Sequence, residues 1–421
     1  MTDRLRAQYE AFPYPARDPR DEAKRLITGS PGHLDEVNHH VFGGRLFERG
    51  LFERDKPFRV LFAGGGTGDG TIMLAQQLAD AGLAAEVTYL DLSDASRAIA
   101  ERRAEARGLT NIRFLGGSLL DLTGLGSFDY IDCCGVLHHL EDPAAGLRSL
   151  LAALEPGGGI GIMVYGTLGR TGVYPLQDAL RTLADGLPDG ERVDIAKRLL
   201  KTLPATNWLK RNPFIDDHQQ SDAGLFDLLL HSRDRAYTVP ELAELVSGCG
   251  LAITTFIEPA RYDPARLIAD PRVLRRLEGL DPIARAALAE QLSGSMAKHV
   301  AYLVRPEDAA TAVARPDDLE MAPVLRDFDG AAIARGLKPG AGLRADLGGV
   351  PINLALPRLA GPMLARIDGR ITVGRLFEEL AQVDRGLTHA AFMAQFQDMY
   401  AALNGMNKLL LRRQQGDLSK R

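Results

Sequence analysis

The sequence predicts an α/β protein built on a mostly parallel sheet, with helical insertions and a smaller α+β unit behind it. Three observations predict it. Between residues 58 and 164, five short apolar runs alternate with stretches whose apolar residues recur at helical spacing. A glycine-rich turn, Gly64-Gly65-Gly66-Thr67-Gly68, separates the first run from the first helical stretch. Helix starts and breakers fall at the joints of the alternation, as at Asp142-Pro143, an N-cap acid with proline in the first helical position. Strands that alternate with helices imply parallel pairing through right-handed crossovers.

Residues 1–54 precede this pattern and read as a cap or arm. They carry Tyr9-Glu10-Ala11-Phe12-Pro13-Tyr14-Pro15, where two prolines favour extended chain and the aromatics need a surface to pack on, and then Asn38-His39-His40 and Gly43-Gly44. The main domain, 55–305, contains strands at 58–63, 86–90, 112–115, 130–134 and 160–164 and helices at 71–81, 95–107 and 144–154. The segment Glu155-Pro156-Gly157-Gly158-Gly159 breaks the last of these helices. Residues 166–236 form a polar, helix-prone insertion with the single tryptophan, Trp208. Thr238 caps a helix over 238–246, strands follow at 251–257 and 299–304, and a second helical insertion occupies about 264–297. A linker near 306–318 leads to the C-terminal unit, 320–421. That unit has short strands near 342–355, helices near 359–367, 372–382 and 388–403, and a closing run at 409–411.

Bulk properties exclude several classes. A hydrophobic content of 45% with 25% charged residues is ordinary for a globular chain, and the length of 421 residues suits two or three domains. A net charge of -5 gives no general attraction to nucleic acid or to an anionic membrane. The only cysteines, Cys133, Cys134 and Cys249, contain no CxxC pair, so neither a disulfide framework nor a thiolate metal site is expected. Cys133 and Cys134 fall within an apolar strand and read as core. The polar start lacks a signal core, and no run reaches the ~18 apolar residues of a spanning helix. A soluble cytoplasmic protein in a reducing compartment is the expectation, with a homodimer open.

The chemistry concentrates at the glycine turn. Glycine lets the chain bend tightly and lets a ligand touch bare backbone, and the helix N-terminus beside it offers N–H donors. Asp91 ends the second strand, 23 residues beyond Gly68, where a carboxylate can accept both hydroxyls of a ribose. A dinucleotide fingerprint requires glycine three positions after its second glycine; here Gly64 and Gly66 are followed by Asp69. An acid there would repel a pyrophosphate and tolerate a cationic sulfonium. A nicotinamide-dependent oxidoreductase is disfavoured on both counts.

The stretches 60–71, 89–93, 128–143 and 154–164, including Gly135-Val136-Leu137-His138-His139-Leu140 and Leu154-Glu155-Pro156-Gly157-Gly158, resemble the successive motifs of class I S-adenosylmethionine-dependent methyltransferases. The resemblance implies a Rossmann-like, seven-stranded sheet whose last two strands, 251–257 and 299–304, form an antiparallel pair, with S-adenosylmethionine across the strand ends. It implies that Gly64, Gly65, Gly66, Thr67 and Gly68 pass beneath the cofactor and that Asp91, with Leu92, holds the ribose. Ser118 and Leu119 would border the adenine, and Gly135 and Val136 would face the methionine part. Two positions depart from the family. Phe62 stands where many members carry a first-strand acid, and Ser118 stands where an acid near the adenine is usual, with Asp121 one turn on.

Candidates for the transfer step are Tyr14, His138 and Tyr165, with a neutral imidazole at His138 able to accept a proton. Tyr9 and Phe12 belong to the same aromatic arm, and Asn38, His39 and His40 form a second polar cluster. Tyr174 and Gln177 follow the fifth strand beneath the insertion; with His39 and His40 they are the candidate acceptor contacts. Adjacent histidines on a turn point apart, so no metal is expected at His138-His139. Each candidate has a structural alternative: stapling for the arm, packing for the histidines and tyrosines, capping for Asp142. The segment Ile367-Asp368-Gly369-Arg370-Ile371-Thr372-Val373 loosely resembles a turn of small winged-helix modules that bind precursor peptides, against a structural or dimerising role for the unit. The function expected is methyl transfer to an unidentified acceptor, a small molecule ahead of a protein or peptide; a non-catalytic binding protein is the rival motivated by Phe62 and Ser118.

Overall fold

The computed structural model describes residues 2–48 and 56–414; residues 1 and 49–54 of the expected cap, residue 55 of the main domain and 415–421 of the C-terminal unit lie outside the described residues. Seven strands form one sheet in the order β3-β2-β1-β4-β5-β7-β6. They are β1 (Phe58–Ala63), β2 (Ala85–Asp91), β3 (Ile112–Gly116), β4 (Phe128–Cys134), β5 (Leu154–Tyr165), β6 (Ala252–Phe256) and β7 (Lys298–Val304). β1 to β5 pair in parallel, whereas β7 runs antiparallel to both β5 and β6. This is the expected Rossmann-like architecture. β1 lies at the centre because every residue of Phe58–Ala63 but Arg59 is buried, as a strand covered on both faces requires.

The two faces bury different helices. Leu61, Ile131, Ile160 and Ile162 pack beneath the helices Pro143–Ala152, Val239–Gly248 and Pro282–Ser293. Val60, Phe62, Tyr130 and Tyr302 face Asp69–Asp80 and Leu34–His40. Asp142 and Thr238 cap their helices as expected, Asp142 Oδ1 accepting from Ala145 N–H at 2.9 Å. One reading is corrected. The segment 155–159 is not a turn that stops a helix but the first half of β5, which enters the sheet through a register shift between Phe128 and Tyr130. Glycine serves it because a Cβ at Gly158 would lie 2.6 Å from the Asp129 carbonyl oxygen.

The insertion has its own core of Val173, Leu176, Leu180 and Val193 against Leu225–Leu230. The arm is partly helical. Thr2–Ala11 forms a helix that includes Tyr9, since prolines at 13 and 15 constrain only the chain beside them. Beyond the linker, a strand not anticipated in the sequence, β8 (Met321–Leu325), pairs antiparallel with β11 (Leu409–Arg413), while β9 (Leu343–Asp346) and β10 (Pro351–Leu354) form a hairpin. The helices Val373–Val383 and His389–Asn404 bury Leu376, Leu380, Phe392 and Phe396. At the winged-helix-like segment, Asp368 accepts from Arg370 and Ile371 N–H and Thr372 caps the next helix, so helix initiation accounts for its residues. No helix among the described residues is long and apolar enough to cross a membrane.

The two ends of the described chain meet. Glu36, fully buried, accepts from Tyr302 Oη at 2.9 Å, Asn407 Nδ2 at 2.8 Å and Ser30 Oγ at 2.5 Å, and pairs with Arg326. His39 is equally buried and latches β11: its Nδ1 accepts from Leu411 N–H at 2.8 Å, which leaves the proton on Nε2, 3.0 Å from the Tyr400 hydroxyl.

Candidate functional site

A cavity of about 480 Å³ opens at the carboxyl ends of β1, β2 and β4, where an open parallel sheet binds its ligands. Its floor is the glycine turn, whose Gly64, Gly66 and Gly68 have φ of 90°, 53° and 98°. The glycines differ in purpose. A Cβ at Gly64 would strike Val136, one at Gly65 the Tyr89 ring, both at 2.3 Å, and one at Gly68 would lie 2.9 Å from Ala100. Those three keep the turn packed against its neighbours. Gly66 is different: a Cβ there would find only the Tyr14 carbonyl oxygen within 4 Å, at 3.3 Å. Its bare backbone faces the space between turn and arm.

Asp91 stands at the rim. Its Oδ2 accepts from Gly66 N–H and its Oδ1 from Ser93 N–H, both at 2.8 Å. Burial pushes its pKa up against these backbone donors, which stabilise the carboxylate. Leu92, Ser118, Leu119, Gly135 and Val136 line the same cavity, together with Thr67 and Gly64 to Gly66. Gly68 does not; it precedes the helix Asp69–Asp80.

The arm roofs the turn. Thr67 Oγ1 donates to the Pro15 carbonyl at 2.8 Å, and Arg17 grips Asp69 through Nε and Nη2. Arg103, almost fully buried, joins Asp69 at 2.7 Å to Glu22 at 2.6 Å. Burial would raise the Asp69 carboxyl, but Arg17 and Arg103 hold it below its ordinary value. This corrects the electrostatic reading of the sequence: Asp69 is neutralised by two arginines and does not present its charge to a ligand. The arm also reaches the insertion. Phe12 stacks on Phe226 at 4.6 Å, and the Tyr14 hydroxyl donates to Asp217 at 2.9 Å.

A polar cluster completes the far wall, where Tyr9, Tyr14, His139, Tyr165 and Asp227 line the cavity. Asp227 accepts from the hydroxyls of Tyr165 at 2.9 Å and Tyr9 at 3.2 Å. His231 Nδ1 accepts from Arg233 N–H at 3.0 Å, so its proton sits on Nε2, 3.3 Å from the Tyr9 oxygen. His139 has the opposite tautomer. Its Nδ1 lies 2.9 Å from the Arg233 carbonyl and donates to it, leaving a lone pair on Nε2. Burial lowers the pKa of both imidazoles, which are therefore neutral near pH 7. His139, Asp227 and His231 bring ligand-type atoms within 4.8 Å of one another, yet the two rings are stacked at 3.9 Å and 19°. Planes so nearly parallel do not converge on a point about 2 Å from both nitrogens, as shared metal coordination demands.

Several expected site residues lie elsewhere. His138 is fully buried behind Tyr165, 3.9 Å between ring centroids, with neither nitrogen hydrogen-bonded among the described residues. The turn Leu137–His139 rotates His139, not His138, toward the cavity. His39 and His40 are buried at the C-terminal unit rather than at the cavity, because the helix Leu34–His40 packs on the back of the sheet. Gln177 donates to the Leu228 carbonyl at 2.8 Å inside the insertion, and Tyr174 sits beside Arg170, which also stacks on Tyr165 at 3.6 Å. Both support the wall without lining it. Cys133 is core as expected, but Cys134 lines the cavity, its thiol pushed up to about 12 by burial and so no nucleophile. Asp227 was missed. It occupies a π-helical turn, Phe226–Leu230, a local widening that often marks functional sites. The available signal was an acid inside the apolar run 225–230.

Comparison with known proteins agrees with this geometry. Residues 61–160 match a methyltransferase-domain family. An uncharacterized protein of a Synechococcus species is 32% identical over 320 residues, spanning 72% of each chain. A ubiquinone biosynthesis O-methyltransferase of Idiomarina loihiensis is 30% identical over 154 residues, which cover 36% of this chain and 55% of that relative. Among solved structures, PKMT2 from Rickettsia typhi shares the fold with a TM-score of 0.59 at 14% identity, over 96% of this chain and 75% of the other. A second structure of that protein, in complex with AdoHcy, gives 0.56.

Proposed function

Because the chain belongs to the class I S-adenosylmethionine-dependent methyltransferases, we propose that it methylates a small acceptor through a protonated oxygen or nitrogen, with His139 receiving the proton. S-adenosylmethionine is the cofactor, and the residues present fit it. Gly66 leaves space above the turn that a Cβ would narrow, Asp91 offers a carboxylate at the strand end, and Ser118 and Leu119 wall the side beyond it. Bound there, the cofactor supplies a methyl group on a sulfonium, an already activated leaving group.

The protein's part is alignment, exclusion of water and proton removal. The arm covers the turn through Pro15 and Arg17. Tyr9 and Tyr165 anchor Asp227, and Asp227 with the aromatic rings shapes a polar pocket for the acceptor. His139 holds its lone pair on Nε2 because Nδ1 is committed to the Arg233 carbonyl. The observation that carries the proposal is that this fixed tautomer and Asp227 share one cavity with Asp91 and the glycine turn.

Transfer of isotope-labelled methyl from S-adenosylmethionine to panels of phenolic and amine small molecules tests it. His139→Ala should lower the rate about 10²–10⁴-fold, the usual range for a positioned base, with S-adenosylhomocysteine binding preserved. His138→Ala should leave the rate within a few-fold of wild type. Equal losses in both variants would sink the role of His139. A second reading, a polypeptide acceptor, is motivated by the C-terminal unit, whose core lies outside the transfer chemistry. Label appearing in a protein fraction and in no small molecule would favour it.

A further inference from the structure

Four carboxylates line the cavity, and three of them are already answered. Asp69 is held by Arg17 and Arg103, Asp91 by two backbone N–H groups, and Asp227 by two tyrosine hydroxyls. Asp132 on β4 is the exception. It is 4% exposed, its Oδ2 meets only the Tyr130 hydroxyl at 3.3 Å, and among the described residues it forms no ion pair. Burial lifts its pKa to about 7, with that hydroxyl and the Cys134 N–H opposing the rise. A buried carboxylate facing a cavity is costly unless something in the cavity answers its charge.

Its place says what that is. Asp132 is the register partner of Phe62 on β1, so both side chains leave the same face of the sheet on strands about 4.8 Å apart. The Phe62 ring fills the space beneath the first turn of Asp69–Asp80, where a Cβ at Gly70 would lie 2.9 Å from it. β1 therefore presents an apolar surface just before the glycine turn, and the neighbouring strand presents the acid. Met73, Cys134 and Met163 add apolar surface to the same cavity. If Asp91 and Leu119 hold the nucleoside end of the cofactor, its amino-acid end would lie toward β1 and β4, whose residues line the rest of the cavity.

We propose that Asp132 binds the α-ammonium group of the cofactor's methionine portion, from the strand beside the one that carries Phe62. This rests on the cofactor assignment above, and the test separates the two. The full chain is titrated calorimetrically with S-adenosylhomocysteine, with its deaminated analogue, and with 5′-deoxy-5′-methylthioadenosine, which lacks the amino-acid part. Wild type should prefer S-adenosylhomocysteine over the deaminated analogue by about tenfold or more, as a charged hydrogen bond allows. Asp132→Asn should erase that preference while binding methylthioadenosine as wild type does, which also reports that the site is folded. Equal affinity of wild type for the two homologues overturns the proposal even if the variant misfolds, and so does a variant that keeps the preference. Failure of wild type to bind any of the three removes the cofactor assignment, and the proposal with it.

Discussion

At the residue scale, the turn and Asp91 act as one unit. The Asp91 carboxylate closes the turn through Gly66 N–H, so Asp91→Ala would remove the proposed ribose contact and would loosen the backbone of the turn. One charged hydrogen bond contributes about 1.5–3 kcal/mol, and the expected outcome is at least a tenfold weaker affinity for S-adenosylhomocysteine by calorimetry. Gly66→Val should act likewise and also lower thermal stability, since its φ of 53° strains any residue with a Cβ and that Cβ would lie 3.3 Å from the Tyr14 carbonyl oxygen. Gly65→Val should cost stability, because its side chain would enter the Tyr89 ring. Unchanged binding in Asp91→Ala and Gly66→Val would remove the ground for placing the nucleoside here. That the turn at Gly64–Thr67 and Asp91 would meet at one cavity was legible from the sequence because it depends on local spacing. The division of labour among the glycines was not, since it is set by Val136, Tyr89 and Ala100, which are distant in sequence. The choice between His138 and His139 was equally hidden, because the rotation of one tight turn decides which ring meets the cavity.

At the scale of elements, the seven strands were readable to within a few residues because buried parallel strands are apolar runs between breakers. β5 was read short, its glycines taken as a stop when they let the strand pass close to β4. β8 was not foreseen, as it lies among prolines next to the linker and its partner arrives only at Leu409. That partner depends on a histidine. The His39 ring is neutral, its pKa lowered to about 4 by burial, and protonation would place a hydrogen against the Leu411 N–H. In an unfolded chain a histidine titrates near 6.5. Above that pH neither state is charged and the group is without effect on stability. Between about 6.5 and 4 the unfolded state takes the proton first, so stability falls as pH falls, by about 1.4 kcal/mol per pH unit for each such group. Urea denaturation at pH 7 and pH 5 should show this loss, and His39→Gln should be less stable at pH 7 but flatter with pH. An unaltered slope in the variant would show that His39 does not titrate this way.

At the scale of the whole molecule, the sequence suggested a separable C-terminal unit, and the contacts show how it is joined. Asn407 and Arg326 reach Glu36, Leu411 binds His39, and Arg412 lies 3.3 Å from Asp35. Removing one side of a buried charge pair commonly costs about 3–5 kcal/mol. Truncation after residue 318 would strip several such partners at once. The expected outcome is a chain that is insoluble or lacks a cooperative thermal transition, not a folded domain that has lost only an acceptor. A truncated protein that still melts cooperatively and binds S-adenosylhomocysteine would refute this.

The joining of Glu36 and His39 to Asn407 and Leu411 also bears on how the protein is made. A segment synthesised early must wait, its buried acid and imidazole unanswered, until residues near 411 have left the ribosome. Until then the helix Leu34–His40, which backs the sheet, lacks the partners that satisfy Glu36 and His39.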